Sequence, residues 1–224
     1  MNNLEIWEEI FSNNDWGKYP SIPLVRFVAR NFYKAKEREN IKLLELGTGP
    51  GANIWFMARE GFKVYALEGS QTACEQLAER LKKEGLSDRI GAIHSGDYFE
   101  KIDLFEDNYF DGVLDCESLY CNSFARTREM IIKIFRKLKQ GGWFYSQTFA
   151  DGTWGLDASE IDYHAVSPVE GPMRNKGFSR YTTRNDIEGL YKLPDNEIVN
   201  VERIDQHCNN GKIIKEWIIE VRKN

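Results

Sequence analysis

Residues 43–51 constrain the fold of this chain more than any other stretch. They read Leu-Leu-Glu-Leu-Gly-Thr-Gly-Pro-Gly, an apolar run with one acidic residue followed by three glycines at alternate positions. The run predicts a buried parallel strand, and the glycines predict a turn in which the backbone adopts positive φ and a ligand approaches where a Cβ would collide. Because a helix that follows begins with unpaired N–H groups, we expect main chain at this turn to bind a ligand.

The spacing of the glycines is compatible with two classes of ligand. Gly47-x-Gly49-x-x-Ala52 satisfies the relaxed dinucleotide fingerprint, so a nicotinamide cofactor is one alternative. Glu45, however, precedes the first glycine closely, and Gly51 completes a Gly-x-Gly-x-Gly pattern. An acidic residue followed by that pattern resembles the first motif of the class I (Rossmann-like) S-adenosylmethionine-dependent methyltransferases. The resemblance implies S-adenosyl-L-methionine as cofactor, bound at this turn by Glu45, Gly47, Thr48, Gly49 and Gly51.

The composition fits a single globular enzyme domain. The chain has 224 residues, of which 42% are hydrophobic, and at this length about 70–75% of the unfolded surface is buried on folding. No apolar run approaches the ~18 residues of a membrane span. The first residues lack the basic and apolar regions of a signal peptide, so we expect a cytoplasmic protein with no membrane attachment.

Charge, cysteine and histidine content argue against two further classes. The net charge of −5 provides no broad basic field for phosphate backbones, so no nucleic-acid partner is expected. The four cysteines form no Cys-x-x-Cys pair and the three histidines are spread along the chain, which argues against structural zinc. Glu117 and Asp151 are too few carboxylates to predict a cation site beyond the central strands, so we expect no metal.

Strands and helices alternate along most of the chain, as a right-handed parallel α/β sheet requires. The apolar patterns predict strands over residues 41–46, 63–67, 89–94, 110–116 and 143–149, and helices over residues 51–60, 71–84 and 124–139. A short helix is predicted near residues 183–191, and two further strands over residues 198–207 and 213–221. Asn209-Asn210-Gly211 between those two strands is a strong hairpin signal.

These elements predict a seven-stranded, mostly parallel, doubly wound α/β sheet with an antiparallel C-terminal hairpin and helices on both faces. The family resemblance implies the same fold. We expect one methyltransferase domain over residues 1–224. Within it we expect an N-terminal helical flap (1–38), a cofactor-binding half (39–150), a substrate loop or lid (151–182) and a C-terminal helix and hairpin (183–224).

Three further strand ends carry candidate cofactor residues. Glu68 ends the second predicted strand, where a carboxylate can accept hydrogen bonds from a ribose diol, and Gly69 and Ser70 follow it. The resemblance implies an adenine contact at Asp97 and Tyr98, although Asp also commonly caps a turn. It further implies contacts from the main chain near Asp115 and Cys116 to the methionyl group.

Methyl transfer from a sulfonium requires mainly in-line positioning of the acceptor, an SN2 displacement. A general base contributes where a hydroxyl acceptor must lose a proton, and Glu117, Tyr120 and His164 are the candidates for that role. The expected reaction is therefore methylation of an oxygen or nitrogen atom of a small molecule such as a sugar nucleotide, a phosphorylated metabolite or a secondary-metabolite precursor.

Two segments outside the cofactor half are expected to select the acceptor. Trp7, Phe11, Trp16 and Tyr19 either cover the cofactor or pack on the sheet. The later loop mixes aromatic, titratable and cationic side chains that suit a polar or anionic molecule: Tyr163, His164, Arg174, Lys176, Arg180 and Tyr181. A charged loop that faces solvent would have the same composition.

Two other functions stay open at this point. A nicotinamide-dependent oxidoreductase would need a hydride-transfer site, and the sequence has no Tyr-x-x-x-Lys pair. A non-catalytic module that binds the nucleoside would carry the same glycines with Glu68 and Asp97. The oligomeric state has no signature in the sequence.

Overall fold

The structure, a computed structural model, describes residues 3–224. The helices are α1 (Asn3–Asn13), α2 (Ile22–Phe32), α3 (Ala52–Arg59), α4 (Gln71–Lys83), α5 (Tyr98–Lys101), α6 (Phe124–Lys137) and α7 (Asp186–Tyr191). The strands are β1 (Lys42–Leu46), β2 (Lys63–Glu68), β3 (Ile90–Ser95), β4 (Phe110–Cys116), β5 (Leu138–Phe149), β6 (Ala165–Val166), β7 (Ser179–Arg180), β8 (Asn196–His207) and β9 (Ile213–Lys223).

Seven strands form one sheet in the order β3-β2-β1-β4-β5-β9-β8. The pairs from β3 through β5 are parallel, whereas β9 runs antiparallel to both β5 and β8. The predicted fold class is therefore confirmed, including the C-terminal hairpin. Because β1 lies between β2 and β4, the carboxyl ends of these three strands meet at one edge of the sheet.

Helices cover both faces of the sheet. Alternation along β1 places Leu44 and Leu46 in one buried cluster with α6, and Leu43 in the other with α2, α3 and α4. Glu45 follows the parity of Leu43 and therefore projects towards α3. Asn53 in the first turn of α3 donates a hydrogen bond to Glu45 Oε1 at 2.6 Å.

Most predicted bounds agree with the structure to within two residues, and the end of α6 shows why they differ. The predicted helix 124–139 ends at Lys137, because Leu138 is extended and pairs with Phe110 as the first residue of β5. Tertiary pairing of the strand thus overrides the local helical pattern.

The segment of residues 151–182 crosses the carboxyl edge of the sheet and contains the short antiparallel pair β6–β7. It has its own small cluster, in which Leu156, Val166 and Met173 pack with Tyr120 and Phe149. Within residues 3–224, no helix is both long and apolar enough to cross a membrane. The same residues contain no cluster of three histidine, cysteine or acidic side chains suited to a metal ion.

Candidate active site

A cavity of about 610 Å³ lies at the edge of the sheet where β1, β2 and β4 end. Its size is typical of small-molecule sites, and open α/β sheets bind ligands at this edge. The predicted site residues that line it are Glu45, Gly47, Thr48, Gly49, Glu68, Gly69, Asp97, Tyr98, Cys116, Glu117 and Tyr120. Gly51, Ser70, Asp115 and His164 lie outside this lining.

The glycine turn after β1 requires glycine for two different reasons. Gly47 has φ +62°, and a Cβ there would lie 2.0 Å from Ser118 Oγ, so the turn and the loop after β4 approach each other closely. Gly51 has φ +83° and is the N-cap of α3. A Cβ at this position would lie 2.2 Å from Leu77 Cδ1. Gly51 therefore permits packing of α4 against the turn and does not face the cavity.

Glu68 connects the end of β2 to the glycine turn. Its side chain is buried; Oε2 accepts from the main-chain N–H of Gly49 at 2.7 Å and Oε1 from that of Ser70 at 2.9 Å. Burial raises the pKa of Glu68, while the hydrogen bonds from Ser70, Gly49 and Gly69 oppose that rise. Each carboxylate oxygen has a second lone pair, so the group can still accept from a ligand.

Ser70 belongs to the packing behind the cavity wall. It is fully buried and caps α4, accepting from the N–H of Ala73 at 3.1 Å. Its hydroxyl donates to Glu8 of α1. Ser70 therefore holds α1 against α4 and does not line the cavity.

Glu45 has a buried oxygen with no partner. Oε1 accepts from Asn53, but Oε2 is one of two buried side-chain polar atoms in residues 3–224 that make no hydrogen bond. The pKa of Glu45 is raised to about 8, mainly by burial; the hydrogen bond from Asn53 opposes the rise, and the nearby carboxylates of Asp115 and Glu68 add to it. An unpartnered buried carboxylate oxygen is costly, so a donor or a cation supplied by a ligand would satisfy it.

Asp97 lies at the cavity wall and caps α5. Its Oδ1 accepts from the N–H of Phe99 at 2.9 Å, and its Oδ2 pairs with Arg126 at 2.6 Å. The neighbouring Tyr98 is held by Asn122, whose amide donates to the phenol oxygen. Burial raises the pKa of Tyr98, which keeps the phenol neutral.

Asp115 fixes the loop after β4 and lies beneath the cavity. Its Oδ1 accepts from the N–H groups of Ser118 at 3.0 Å and Leu119 at 2.9 Å, and its Oδ2 accepts from Ser146 Oγ at 2.6 Å. Burial raises its pKa to about 6, although these hydrogen bonds oppose the rise. Cys116 lines the cavity as a neutral thiol, because burial raises its pKa well above the ordinary value.

Glu117 lines the cavity in an unusual backbone conformation. Its φ is +56°, a region that non-glycine residues rarely adopt, and its N–H donates to the carbonyl of Gln147 at 2.8 Å. Burial raises the pKa of Glu117 well above its ordinary range, and a hydrogen bond with Glu216 raises it further. Such strained, perturbed residues cluster at functional sites.

Tyr120 reaches the cavity from a packed position. Its ring meets Phe149 edge-on with a centroid distance of 5.1 Å, and its hydroxyl contacts Met173 Sδ at 3.5 Å. Burial raises its pKa well above the ordinary value, so the phenol stays protonated.

His164 lies away from the cavity. Its Nδ1 is 2.8 Å from Asp186 Oδ2, and its ring is stacked between Tyr163 and Tyr181 at centroid distances of 4.0 and 4.9 Å. This position makes His164 part of the join between the lid and α7. The structure does not bring it together with Glu117 and Tyr120.

The N-terminal aromatic residues line the cavity: Trp7, Phe11, Trp16 and Tyr19. Helix α1 is held over the cofactor half by Glu8, which the sequence did not single out. Glu8 accepts from Ser70 Oγ, from Thr72 Oγ1 and, at 3.3 Å, from the N–H of Thr72. These hydrogen bonds lower the pKa of Glu8, so a carboxylate faces the N-terminus of α4.

The basic residues of the lid are dispersed. Arg180 is 1% exposed, and its guanidinium donates to the carbonyl of Asn122 at 3.3 Å and to Thr182 Oγ1 at 3.0 Å. Arg174 does not line the cavity, whereas Lys176 does and lies over the Trp16 ring at 5.1 Å. The predicted basic cluster for an anionic acceptor is thus not assembled, because Arg180 points into the protein interior.

The cavity wall is rich in acid. Its charged lining residues are Glu45, Glu68, Asp97, Glu117, Arg126 and Lys176. Arg126 pairs with Asp97, so Lys176 is the remaining cation among the described lining residues. A cation beside Glu45 or Glu117 would lower the raised pKa of that carboxyl and pair with its ionised form, so this wall favours a positively charged ligand over a phosphate-bearing one.

The comparison with protein families identifies a methyltransferase domain over residues 43–142, from β1 to the beginning of β5. No curated protein matches the chain significantly. The matched region contains the glycine turn, Glu68, Asp97 and Glu117, and thus the carboxyl-rich wall of the cavity.

Several solved structures share the fold at low sequence identity. A methyltransferase from Methanosarcina mazei is 18% identical with a TM-score of 0.68, over 88% of this chain and 96% of that one. The 1,6-didemethyltoxoflavin-N1-methyltransferase from Burkholderia thailandensis, with its substrate and S-adenosylhomocysteine bound, is 16% identical with a TM-score of 0.66, over 91% and 77% of the two chains. An O-methyltransferase from Bacillus cereus bound to S-adenosylhomocysteine is 15% identical with a TM-score of 0.60, over 99% and 90%.

The family match and the shared fold agree with the glycine turn and the acidic strand ends described above. Both the family motif and the carboxyl edge of the sheet lie at the same cavity. Residues 43–142 therefore match a methyltransferase domain, and the sheet has the Rossmann-like fold of solved S-adenosylmethionine-dependent methyltransferases.

Proposed function

We propose that the protein transfers the methyl group of S-adenosyl-L-methionine to an oxygen or nitrogen atom of a polar small molecule. The observation that carries this proposal is the unpartnered, buried Oε2 of Glu45 in a cavity rich in carboxylates. The cofactor brings a sulfonium and an ammonium group, which match that wall. A dinucleotide would instead bring two phosphate charges, which would keep Glu45 and Glu117 neutral and could not pair with their ionised forms.

The residues present fit the cofactor. Glu68 would accept from its ribose diol, Asp97 and Tyr98 would contact its adenine, and main chain at Gly47, Thr48 and Gly49 would face its methionyl part, with Gly69 beside the ribose and Cys116 near the amino group. Gly51, Ser70 and Asp115 would shape these segments from outside the cavity.

When bound, the cofactor supplies an activated methyl carbon: the acceptor's lone pair forms the new bond, the C–S bonding pair stays on sulfur, and S-adenosylhomocysteine leaves. The chain's own contribution is to hold the acceptor in line and to exclude water. Such positioning supplies about 7–11 kcal/mol of a barrier. Helix α1 and the lid both contribute to the cavity wall, through Trp7, Phe11, Met173 and Lys176.

We infer from these contacts that residues 3–38 act as a flap over the cofactor and that residues 151–182 act as a lid over the acceptor. The first two residues of the predicted flap lie outside the described part of the chain. Because Lys176 is the one cation without an ion-pair partner among the described lining residues, it is the group that an anionic or polar acceptor would meet in the cavity.

The test is transfer of label from methyl-tritiated S-adenosylmethionine to a pool of hydroxyl- and amine-bearing small molecules. The wild-type protein should label at least one acceptor, Glu68→Ala should lose that activity, and Glu75→Ala, which changes an exposed carboxylate on α4, should keep it. Binding of S-adenosylhomocysteine without transfer to any acceptor would favour the non-catalytic module. Binding of NADH in its place would favour the oxidoreductase.

A further inference from the structure

Lys176 of the lid presents an unused cation to the cavity. It lines the cavity, is half-buried, and has its Nζ 5.1 Å from the centroid of the Trp16 ring and 5.7 Å from that of Trp7. The faces of two indole rings favour the charged form of the amine. Among residues 3–224, its ammonium makes no hydrogen bond and no ion pair. Its N–H groups are therefore available to a ligand.

Contacts between the lid and α1 fix the position of this lysine. The Asn3 side chain donates to the carbonyl of Phe178 at 3.4 Å and accepts from its N–H at 3.3 Å. The same amide donates to the carbonyl of Cys121 at 3.0 Å, so α1, the lid and the loop after β4 meet close to Lys176. Gly177 has φ +81°, and a Cβ there would lie 2.5 Å from Asn3 Oδ1. The ammonium is thus held in place before a ligand binds, which reduces the entropic cost of a contact with it.

The titratable groups around Lys176 do not provide a base for the acceptor. Burial lowers the pKa of Lys176, while Glu117 and Cys121 oppose that fall. Burial raises the pKa of Glu117 and of Tyr120 well above their ordinary values, which favours the protonated forms of both. His164, the remaining candidate base, lies outside the cavity lining. Loss of a proton from the acceptor is therefore better assisted by a cation that stabilises the resulting anion.

The charges of the reaction favour an oxyanion beside this lysine. When an oxyanion takes the methyl group, its negative charge and the positive charge of the sulfonium both disappear. When a neutral amine takes it, positive charge develops on nitrogen close to the ammonium, which like-charge repulsion disfavours. A nearby ammonium also lowers the pKa of a weak acid by about 1–3 units. That shift brings a phenol, with a pKa of about 10, towards neutrality and leaves an aliphatic alcohol un-ionised.

We propose that the Lys176 ammonium binds the methyl-accepting atom as an oxyanion, an inference that rests on the proposed function. The acceptor is then an oxygen acid: a phenol, an enol or a carboxylic acid. Its hydroxyl gives its proton to water before the reaction, the oxyanion's lone pair forms the O–CH₃ bond, and the C–S bonding pair stays on sulfur. The product is a neutral ether or ester, and no protein side chain has to take a proton.

Binding of 4-nitrophenol to protein saturated with S-adenosylhomocysteine tests this contact without methyl transfer, because the phenol and the phenolate absorb at different wavelengths. Wild type should lower the pH at which the bound probe ionises by about 1–3 units. Lys176→Met removes the charge and keeps the aliphatic stem, so it should abolish the shift and weaken phenolate binding by about 10- to 150-fold. Lys176→Arg should keep part of the shift, since a guanidinium is also a cation.

Two controls separate the ammonium from the rest of the cavity. 4-Nitroanisole, the neutral methyl ether of the probe, should bind wild type and Lys176→Met alike. Lys82→Met, which removes an exposed ammonium on α4, should behave as wild type. All variants are compared at saturating S-adenosylhomocysteine, so a change in its affinity does not alter the result. The proposal fails if wild type binds 4-nitrophenol no more tightly than 4-nitroanisole, or if Lys176→Met keeps the shift.

An acceptor found by label transfer provides a second test. The label should be on oxygen, and Lys176→Met should reduce kcat/KM for that acceptor by about 10-fold or more, with an unchanged KM for S-adenosylmethionine. Label on nitrogen, or a full kcat/KM in Lys176→Met, would overturn the proposal. Failure of the proposed function is separate, because the wild-type protein would then bind no S-adenosylhomocysteine or label no acceptor.

Discussion

Glu68 Oε2 accepts a hydrogen bond from the main-chain N–H of Gly49 at 2.7 Å. The acidic residue at the end of β2 is thereby tied to the glycine turn at the end of β1. Glu68 and Gly49 both line the cavity. Change at Glu68 should therefore affect cofactor binding more than global stability.

Because the Glu45 carboxyl is buried, its contribution to the free energy of unfolding should depend on pH. Its pKa is about 8 in the folded protein against an ordinary 4.5, so the folded state binds more protons than the unfolded state between these values. Stability contributed by Glu45 is therefore lost as pH rises through this window. Thermal unfolding of the cofactor-free proteins measures this. The free energy of unfolding of Glu45→Gln minus that of wild type should be larger at pH 9 than at pH 5 by at least about 1 kcal/mol.

Glu75→Gln is the matched control, because that carboxylate is exposed on α4. Its difference from wild type should not vary with pH. A Glu45→Gln difference that is equally flat would show that Glu45 is not buried in its protonated form.

Substitutions at two glycines distinguish the cost of backbone strain from the cost of steric overlap. Gly85 has φ +71° and open space within 4 Å of the position that a Cβ would take, whereas at Gly51, with φ +83°, the Cβ would lie 2.2 Å from Leu77 Cδ1. Chemical denaturation should give a cost of about 1–2 kcal/mol for Gly85→Ala, from the left-handed conformation alone. Gly51→Ala should cost about 1–3 kcal/mol more, from overpacking against α4. Equal costs for the two variants would contradict the packing role of Gly51.

We expect a substitution at Glu8 to change the rates at which S-adenosylhomocysteine binds and dissociates. Its hydrogen bonds to Ser70 and Thr72 hold α1 over the cavity, so weakening them should let the flap open more often. Stopped-flow measurements should show S-adenosylhomocysteine dissociating about two- to fivefold faster from Glu8→Gln than from wild type, with association accelerated as well. Exposed Glu9→Gln on the same helix should behave as wild type. Unchanged rates in Glu8→Gln would exclude α1 as a gate.

We expect a substitution at His164 to reduce stability and not the rate of methyl transfer. Its bond to Asp186 joins the lid to α7, so His164→Ala should lower the free energy of unfolding by about 1–3 kcal/mol. Its affinity for S-adenosylhomocysteine should change less than about twofold. Methyl transfer reduced by about 10²-fold or more in a variant of wild-type stability would instead restore His164 as a general base.

The sequence predicted the parts of this protein that local chemistry determines. Glycines at alternate positions require a particular turn, and Glu68 is placed by the end of its strand. Asn-Gly between two apolar runs requires a hairpin, which β8 and β9 form. Each of these features depends on a few consecutive residues.

The remaining features depend on contacts between distant segments. Glu216 accepts from Gln147 because the antiparallel insertion of β9 places it beside the end of β5, and no spacing along the chain marks that contact. Arg180 and His164 were expected to face an acceptor, but the pairing of β6 with β7 and the position of α7 direct them elsewhere. Gln147 could have been selected from the sequence as a candidate site residue, because it lies near the carboxyl end of β5.

The proposed function requires that the acidic cavity bind the methyl-donor nucleoside through Glu68. The decisive measurement is calorimetric titration with S-adenosylhomocysteine and, separately, NADH on wild type, Glu68→Ala and Glu75→Ala. S-adenosylhomocysteine should bind wild type and Glu75→Ala alike and NADH neither, while Glu68→Ala should lose about 10- to 150-fold in affinity without unfolding. Binding of NADH, or a Glu68→Ala protein that binds S-adenosylhomocysteine as tightly as wild type, would contradict this role of Glu68 and the cofactor assignment with it.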